Sequence, residues 1–342
     1  MNAFDLILPF LRPIEHLIGD DEISEVMVNG DGRVFVEREG LVQEESVRIP
    51  ERFMRAAVRN IARVLGDEID ERTPLLNSRL PDGSRVAAAV PPASIGGTVL
   101  NIRKFRSRRF TAEELVDRGM LSAEMLAWLV NVIRAERGTI LISGGTGTGK
   151  TSLLNALAAY LPSGDRVVLI EDTAEIVIQA RNLVRLEARR VQPDTPEVSI
   201  RELLRHTLRL RPDRIILGEV RGAEAFDLLQ ALNTGHTGTL STIHANTAPL
   251  AISRLRTCIV MAGFEIPDAA VARNIGEVVN VVVHIGRRAG RRRVTEMLRI
   301  GGYDAARQEY RLTDWRDDAR AEDGRSTGPD PARFLEGELQ SH

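Results

Sequence analysis

Cysteine is almost absent from this 342-residue chain. Cys258 stands alone, which excludes an intramolecular disulfide and a cysteine-based zinc site and fits a reducing cytoplasm. Lysine is nearly as scarce: of 46 basic residues only Lys104 and Lys150 are lysines, the rest arginines. Arginine-biased codon usage accounts for the imbalance, yet it makes the position of Lys150 worth following. Aromatics are 4% of the chain, which argues against stacking platforms for single-stranded nucleic acid. The formal net charge of −2 gives no general reason to expect a nucleic-acid partner. No apolar run approaches the roughly 18–20 residues of a membrane helix. The opening stretch MNAFDLILPFLRPIEHLIG lacks a basic start and is broken by Pro9 and Pro13, so it does not read as a signal peptide.

What is present divides into two patterns. Residues 22–47 alternate apolar and polar positions around Asn-Gly, Asp-Gly and Glu-Gly turn signals, the mark of an antiparallel meander. Residues 51–65 have helical spacing, with Phe53, Ala57, Val58, Ile61 and Leu65 on the apolar face. SRLPDGSRVAAAVPP and TVLNIRKF read as further strands, giving an α+β domain over residues 1–105. A basic, polar connector (106–119) leads into a short helix. From residue 120 strands alternate with helices, the signature of an α/β domain with a parallel sheet covered on both faces, extending to 316. The charged, Gly/Pro-rich remainder, 317–342, reads as a disordered tail.

The stretch TILISGGTGTGKTSLLNAL places Gly144-x-x-x-x-Gly149-Lys150-Thr151 between an apolar strand and a helix, which is a P-loop in its required context. Gly144, Gly145, Thr146, Gly147, Thr148 and Gly149 would turn backbone N–H groups toward phosphate oxygens. Lys150, Thr151 and Ser152 would follow at the N-terminus of the helix, whose dipole adds to the attraction. Lys150 supplies a point charge to the β- and γ-phosphates of ATP, and Thr151 offers a hydroxyl to Mg²⁺. The glycines do not give G-x-G-x-x-G, so a dinucleotide fold is excluded.

Carboxylates arrive at the ends of later strands. RVVLIEDTAEI delivers Glu171 and Asp172 at a strand's C-terminal end, the edge where ligands sit in doubly wound sheets. They are candidates to position Mg²⁺ or its waters. RIILGEVRG delivers Glu219, the best candidate to polarise an attacking water; Gly218 stands where a metal-holding Asp is usual. In NTGHTGTLSTIHANT the two histidines do not have the H-E-x-x-H spacing of a helical zinc pair. Ser241 lacks a nucleophile elbow. His244 is carried by a strand toward the catalytic edge. His236 follows the preceding helix, where a neutral imidazole could donate to a γ-phosphate oxygen; a structural role is the alternative for both.

In order along the chain, GGTGTGKT, VLIEDTAEI, RLRPDRIILGEVRG and TGHTGTLSTIHANT resemble the type II/type IV secretion ATPase superfamily, with its Walker A, Asp box, atypical Walker B and His box. ISEVMVNGDGRVFVEREG and PDGSRV…TVLNIRKF resemble the branch serving Flp/Tad pili and conjugation-type secretion. The resemblance spans about residues 20–315. It implies a RecA-like ATPase domain preceded by a PAS-like domain, assembled as a hexameric ring on the cytoplasmic face of the inner membrane. The ring would dock on a pilus or secretion platform protein; the near-neutral charge and few aromatics argue against direct contact with nucleic acid. It also implies that first-domain arginines reach the triphosphate; Arg85 and Arg103 match those positions. Arg209, Arg211 and Arg221 flank the Glu219 strand and are not ranked by sequence. The absence of a four-cysteine zinc element separates the chain from the type II and extension-pilus branches.

Three readings follow: a motor for pilus assembly or secretion, a DNA-transfer ATPase with the same chemistry, and a slow nucleotide switch or scaffold. The basic stretch GRRAGRRR (286–293) reads as a solvated hairpin turn, with contact to phosphates of nucleic acid or lipid as the alternative.

Overall fold

The chain divides into two units, residues 1–108 built on one hydrophobic core and residues 109–342 built on two, one on each face of its sheet. The computed structural model describes residues 5, 7–38, 40–105, 110–189, 196–288 and 290–323. The first part of the expected connector, 106–109, and residues 324–342 of the expected tail lie outside the described residues.

In the first unit, α1 (Glu15–Gly19) precedes the meander β1 (Ile23–Val28), β2 (Arg33–Arg38) and β3 (Leu41–Arg48). The Asn29-Gly30-Asp31-Gly32 turn closes through Gly32 N–H donating to Asn29 O at 2.8 Å, with Gly32 at φ 83°, where a Cβ would be strained. Helix α2 (Glu51–Val64) is followed by β4 (Leu75–Arg79), β5 (Arg85–Ala89) and β6 (Val99–Arg103). β6 returns to pair with β1, so the antiparallel sheet runs β3-β2-β1-β6-β5-β4. Period-2 alternation buries Val26, Val28, Val34, Val36, Val86, Leu100 and Ile102 against Met54, Val58 and Ile61 of α2. Phe53 departs from the expected face: it is 39% exposed, and Met54 takes its place, because 54, 57/58 and 61 are the i, i+3/i+4, i+7 set that meets the sheet.

The second unit opens with α3 (Ala112–Asp117), which begins in a Thr111/Glu114 capping box. Ala112 and Leu115 are buried in this unit's core, so much of the segment expected as a connector belongs to the second unit. Then come α4 (Ala123–Arg134), β7 (Ile140–Gly144), α5 (Lys150–Ala158), β8 (Arg166–Glu171) and β9 (Asn182–Glu187). They are followed by α6 (Ile200–Thr207), β10 (Arg214–Val220), α7 (Glu224–Asn233), β11 (Leu240–Ile243), α8 (Ala248–Val260) and α9 (Asp268–Val278). The meander β12 (Val281–Arg288), β13 (Arg291–Asp304), β14 (Glu309–Asp314) and the helix α10 (Trp315–Asp323) complete it. Residues 317–323 of the expected tail are therefore helical, anchored by buried Trp315.

The eight-stranded sheet runs β14-β13-β12-β7-β11-β10-β8-β9, parallel from β12 to β9 and antiparallel at the β12-β13-β14 end. Alternate residues of one strand enter opposite cores. Ile140, Ile142, Val167 and Leu169 face the helices α3, α4 and α5, while Leu141, Val168 and Ile170 face α6–α9. Burial on both faces explains the unbroken apolar strands. Each such Ile or Leu contributes about 1.5–3 kcal/mol by leaving water. The parallel strands all point one way, so Gly144, Glu171, Val220 and Ile243 end at a common C-terminal edge.

Candidate functional site

The site is built where β7 turns into α5. Gly144 can only be glycine: a Cβ there would lie 2.6 Å from both Ile285 O and Thr148 Oγ1. Gly149, the N-cap of α5, sits at φ 99°, the left-handed region open to glycine. The Thr148 hydroxyl donates to Gly145 O at 3.0 Å and fixes the loop from within. Lys150 follows at the first helical position, only 8% exposed, its Nζ donating to Gly144 O at 3.0 Å and Gly145 O at 2.9 Å. Thr151 and Ser152 are half-buried on the first turn, while Thr146 and Gly147 are exposed at the loop's crest.

From Lys150 a chain of charged groups crosses the C-terminal edge. Lys150 Nζ stands 3.5 Å from both ring nitrogens of His244, just past the end of β11. His244 Nε2 is 3.1 Å from Glu219 Oε1 on β10. The Glu219 Oε2 accepts from Arg221 Nη2 at 3.0 Å, and Arg221 Nη1 donates to Asp172 Oδ2 at 3.2 Å. Burial lowers the His244 pKa, the Lys150 ammonium lowers it further, and Glu219 opposes them. A neutral ring with Nε2–H donating to Glu219 satisfies these charges, with the Lys150 ammonium equidistant from the two ring nitrogens. Burial likewise lowers the Lys150 pKa, with Glu219 opposing and Arg221 adding to the fall.

Glu171 is placed differently from expectation. It is 4% exposed and its Oε1 accepts from the backbone N–H of Glu175 at 2.8 Å and of Ile176 at 2.7 Å. Burial pushes its carboxyl up to about 7 against those hydrogen bonds and the Arg185 guanidinium. This carboxylate holds the loop after β8 and is not offered as a metal ligand. It also bears on Gly218: a Cβ there would come 3.3 Å from Glu171 Cγ, a close contact that the buried Glu171 side chain would have to yield to by a few tenths of an ångström.

His236 is also corrected. It lies between α7 and β11, at the N-terminal edge of the sheet, and β11 separates it from His244 by roughly 13 Å of extended chain. Its Nδ1 is 3.2 Å from Ala231 O at the end of α7. Within one chain it closes a helix end and does not join the Lys150 cluster. Among Arg209, Arg211 and Arg221 the structure singles out Arg221: Arg211 precedes β10 at the opposite edge, and only Arg221 bonds Glu219. In the first unit Arg85 and Arg103 stand directly opposite each other on β5 and β6, with Glu25 opposite Arg103 on β1.

Two residues gave no sequence signal. Ser143 Oγ is 2.9 Å from buried His284 Nδ1 on the adjacent β12, directly before the P-loop. Burial lowers the His284 pKa, Glu296 opposes it and the Lys150 ammonium adds to the fall; the net lowering favours a neutral ring.

These residues fit a nucleoside triphosphate: glycines that admit close approach, a helix N-terminus and a buried ammonium meet at one loop. The oxygen donors that could face a Mg²⁺ there are the Thr151 hydroxyl and the Asp172 carboxylate. So sparse a set suits a cation that keeps its waters and takes its other ligands from phosphate. Among the described residues, no group of three or more His, Cys, Asp or Glu gathers as a metal cage. None of their helices is long and apolar enough to cross a membrane.

Fold and site together define an α/β P-loop nucleotide-binding protein. The chain matches the family "Type II/IV secretion system protein" over residues 10–312 and belongs to the type II/type IV secretion ATPase superfamily, conjugation-type branch included. It is 37% identical over 289 residues to the conjugal transfer protein TrbB of Rhizobium radiobacter, covering 84% of this chain and 86% of that protein. It is 35% identical over 316 residues to the type IV secretion system protein PtlH of Bordetella pertussis, covering 84% and 93%. The solved structure of the Legionella pneumophila ATPase DotB superposes with a TM-score of 0.62 at 20% identity, over 93% of this chain and 92% of that one, a likeness of fold.

Proposed function

We propose that this chain is a Mg²⁺-dependent ATPase subunit of a homo-oligomeric, hexameric ring that powers a conjugation- or secretion-type machine. It would work at the cytoplasmic face of the inner membrane, against a membrane platform protein. The observation that carries the reading is the continuous chain Lys150–His244–Glu219–Arg221 at the P-loop edge of the sheet. The names of the relatives, conjugal transfer and type IV secretion, favour that setting. A Flp/Tad pilus motor is the second reading, supported by PDGSRV…TVLNIRKF in the first unit. The first unit is read as PAS-like and the second as RecA-like.

In this reading the loop amides and Lys150 hold the triphosphate, and water attacks the γ-phosphate in line. Glu219 accepts the water's proton as general base. His244, neutral and hydrogen-bonded to Glu219, fixes that carboxylate's direction and carries the position of Lys150 to it. Mg²⁺, held by Thr151 and Asp172, supplies neutralisation of phosphate charge when bound. Arg85 and Arg103, side by side on two strands, suit the planar recognition of phosphoryl oxygens and would couple hydrolysis to movement of the first unit.

ATP turnover of the purified chain, with and without Mg²⁺ and across protein concentration, tests this. Specific activity that needs Mg²⁺ and rises cooperatively with concentration is expected of a ring with shared sites. Absence of turnover in folded, nucleotide-binding protein favours a switch and removes the motor reading.

A further inference from the structure

The β12–β13 hairpin projects past the edge where the P-loop sits. Ile285 pairs with Gly144 on β7, and Gly286, Arg287 and Arg288 continue beyond that register. Across the hairpin Arg287 stands directly opposite Arg292, and Arg288 opposite Arg291. Successive strand residues alternate faces, so the two pairs occupy opposite faces. Ile285 and Val294, one step inward from Arg287 and Arg292 on their own face, belong to the same core as Leu153, Leu154 and Leu157 of α5. The 287/292 pair is therefore on the α5 face, which is the face of the P-loop.

The side chains reach it. A methyl group built on Gly147 would lie 3.9 Å from Arg287 Nη2, and one built on Gly149 would lie 4.0 Å from Arg292 Cδ. Like charges directly opposite on an antiparallel ladder repel, and here two guanidiniums are opposed beside the glycine loop. An anion seated between them and the loop converts that repulsion into two charge-assisted contacts. In a P-loop the backbone amides cradle the α- and β-phosphates, while the lysine reaches the β- and γ-phosphates. The arginines approach Gly147 and Gly149, so they meet the diphosphate part; Lys150 with His244 and Glu219 belongs to the terminal phosphate.

We infer that Arg287 and Arg292 are nucleotide-binding residues that close over the diphosphate of the nucleotide held by residues 144–151, making the basic hairpin part of the ATP site. The inference rests on the nucleotide reading of that loop. Contact with nucleic acid or lipid would use the outward Arg288 and Arg291 as readily; the inward pair is the one aimed at the loop.

The test uses the full chain as wild type, Arg287→Gln, Arg292→Gln, and the outward double variant Arg288→Gln/Arg291→Gln. A fluorescent ADP is titrated with Mg²⁺ present, steady-state ATP kinetics are run in parallel, and circular dichroism checks folding. The inward variants are expected to lose ADP affinity about tenfold each, the size of a charged hydrogen bond. KM is expected to rise with that loss more than turnover at saturation falls, because the contact is made equally in ground and transition states. The outward variant is expected to bind ADP like wild type. Equal ADP affinity in the inward variants and wild type overturns the inference while leaving the nucleotide site standing. So does an equal loss in the outward variant, which would mark a net-charge effect. Folded wild-type protein that binds no ADP instead defeats the nucleotide reading itself.

Discussion

The two edges of the eight-stranded sheet each bury a cation, and only one edge is a site. At the N-terminal edge Arg214, fully buried, spends its donors on fixed acceptors: Nε on Asp165 Oδ2 at 2.8 Å, Nη1 on Gly238 O at 3.2 Å and Nη2 on Ile133 O at 2.9 Å. That guanidinium ties α4, β10 and the approach to β11 into one unit. At the C-terminal edge Lys150 leans on carbonyls of a loop whose glycines hold left-handed conformations, and its carboxylate partner is two contacts away through His244. Burial of charge alone does not mark function. A closed set of hydrogen bonds marks structure; a cation in a glycine loop, in an extended network, marks chemistry.

Replacing each cation should separate the edges. Lys150→Ala is expected to lower ATP turnover by at least about 10²–10³-fold, the scale of losing one transition-state charge contact, with the melting temperature nearly unchanged. Turnover near wild type would remove the site from this edge. Arg214→Met is expected to destabilise the fold by about 3–5 kcal/mol, because Asp165 and two carbonyls lose a buried partner, read as a urea midpoint shift. Its turnover per folded molecule should fall far less than that of Lys150→Ala.

The histidines sharpen the same contrast. His244→Ala should cut turnover about tenfold through loss of the Glu219 contact. His236→Ala should change the chain's own chemistry less than about twofold, since it caps α7 at the far edge; an equal loss in both variants would contradict the placement.

A further contrast is a pH dependence at Glu171. A carboxyl raised from 4.5 to about 7 by burial stays protonated in the folded chain while the unfolded chain ionises. Its contribution to stability is full below pH 4.5, declines as pH rises from 4.5 toward 7, and is flat above. Glu171→Gln should remove that decline, seen in melting temperature between pH 4.5 and 7.5; an unchanged slope would mean the carboxyl is not the source.

The P-loop was legible because its spacing, strand and helix are all local. Glu219 and His244 were legible because each ends an apolar strand. His236 was not, because its eight-residue separation from His244 contains a strand that crosses the whole sheet. Glu171 and Asp172 read alike as neighbours, yet alternate side-chain directions bury one and present the other to Arg221. Arg221 could be chosen among three arginines only once the strand ends were known. The helices α8 and α9 and the edge strand β9 stand out less in the sequence. The Thr247 cap with Pro249 in the first turn was an available signal for α8, whereas β9 alternates over a half-exposed edge and lacks an apolar run.

The central claim, that the C-terminal edge hydrolyses ATP through Glu219, is tested most directly by Glu219→Gln. ADP and ATP affinity are measured beside single-turnover hydrolysis with Mg²⁺. The account predicts nucleotide binding within about threefold of wild type and hydrolysis slower by about 10²–10⁴-fold, the range for loss of a general base. Hydrolysis at the wild-type rate with binding intact would contradict it.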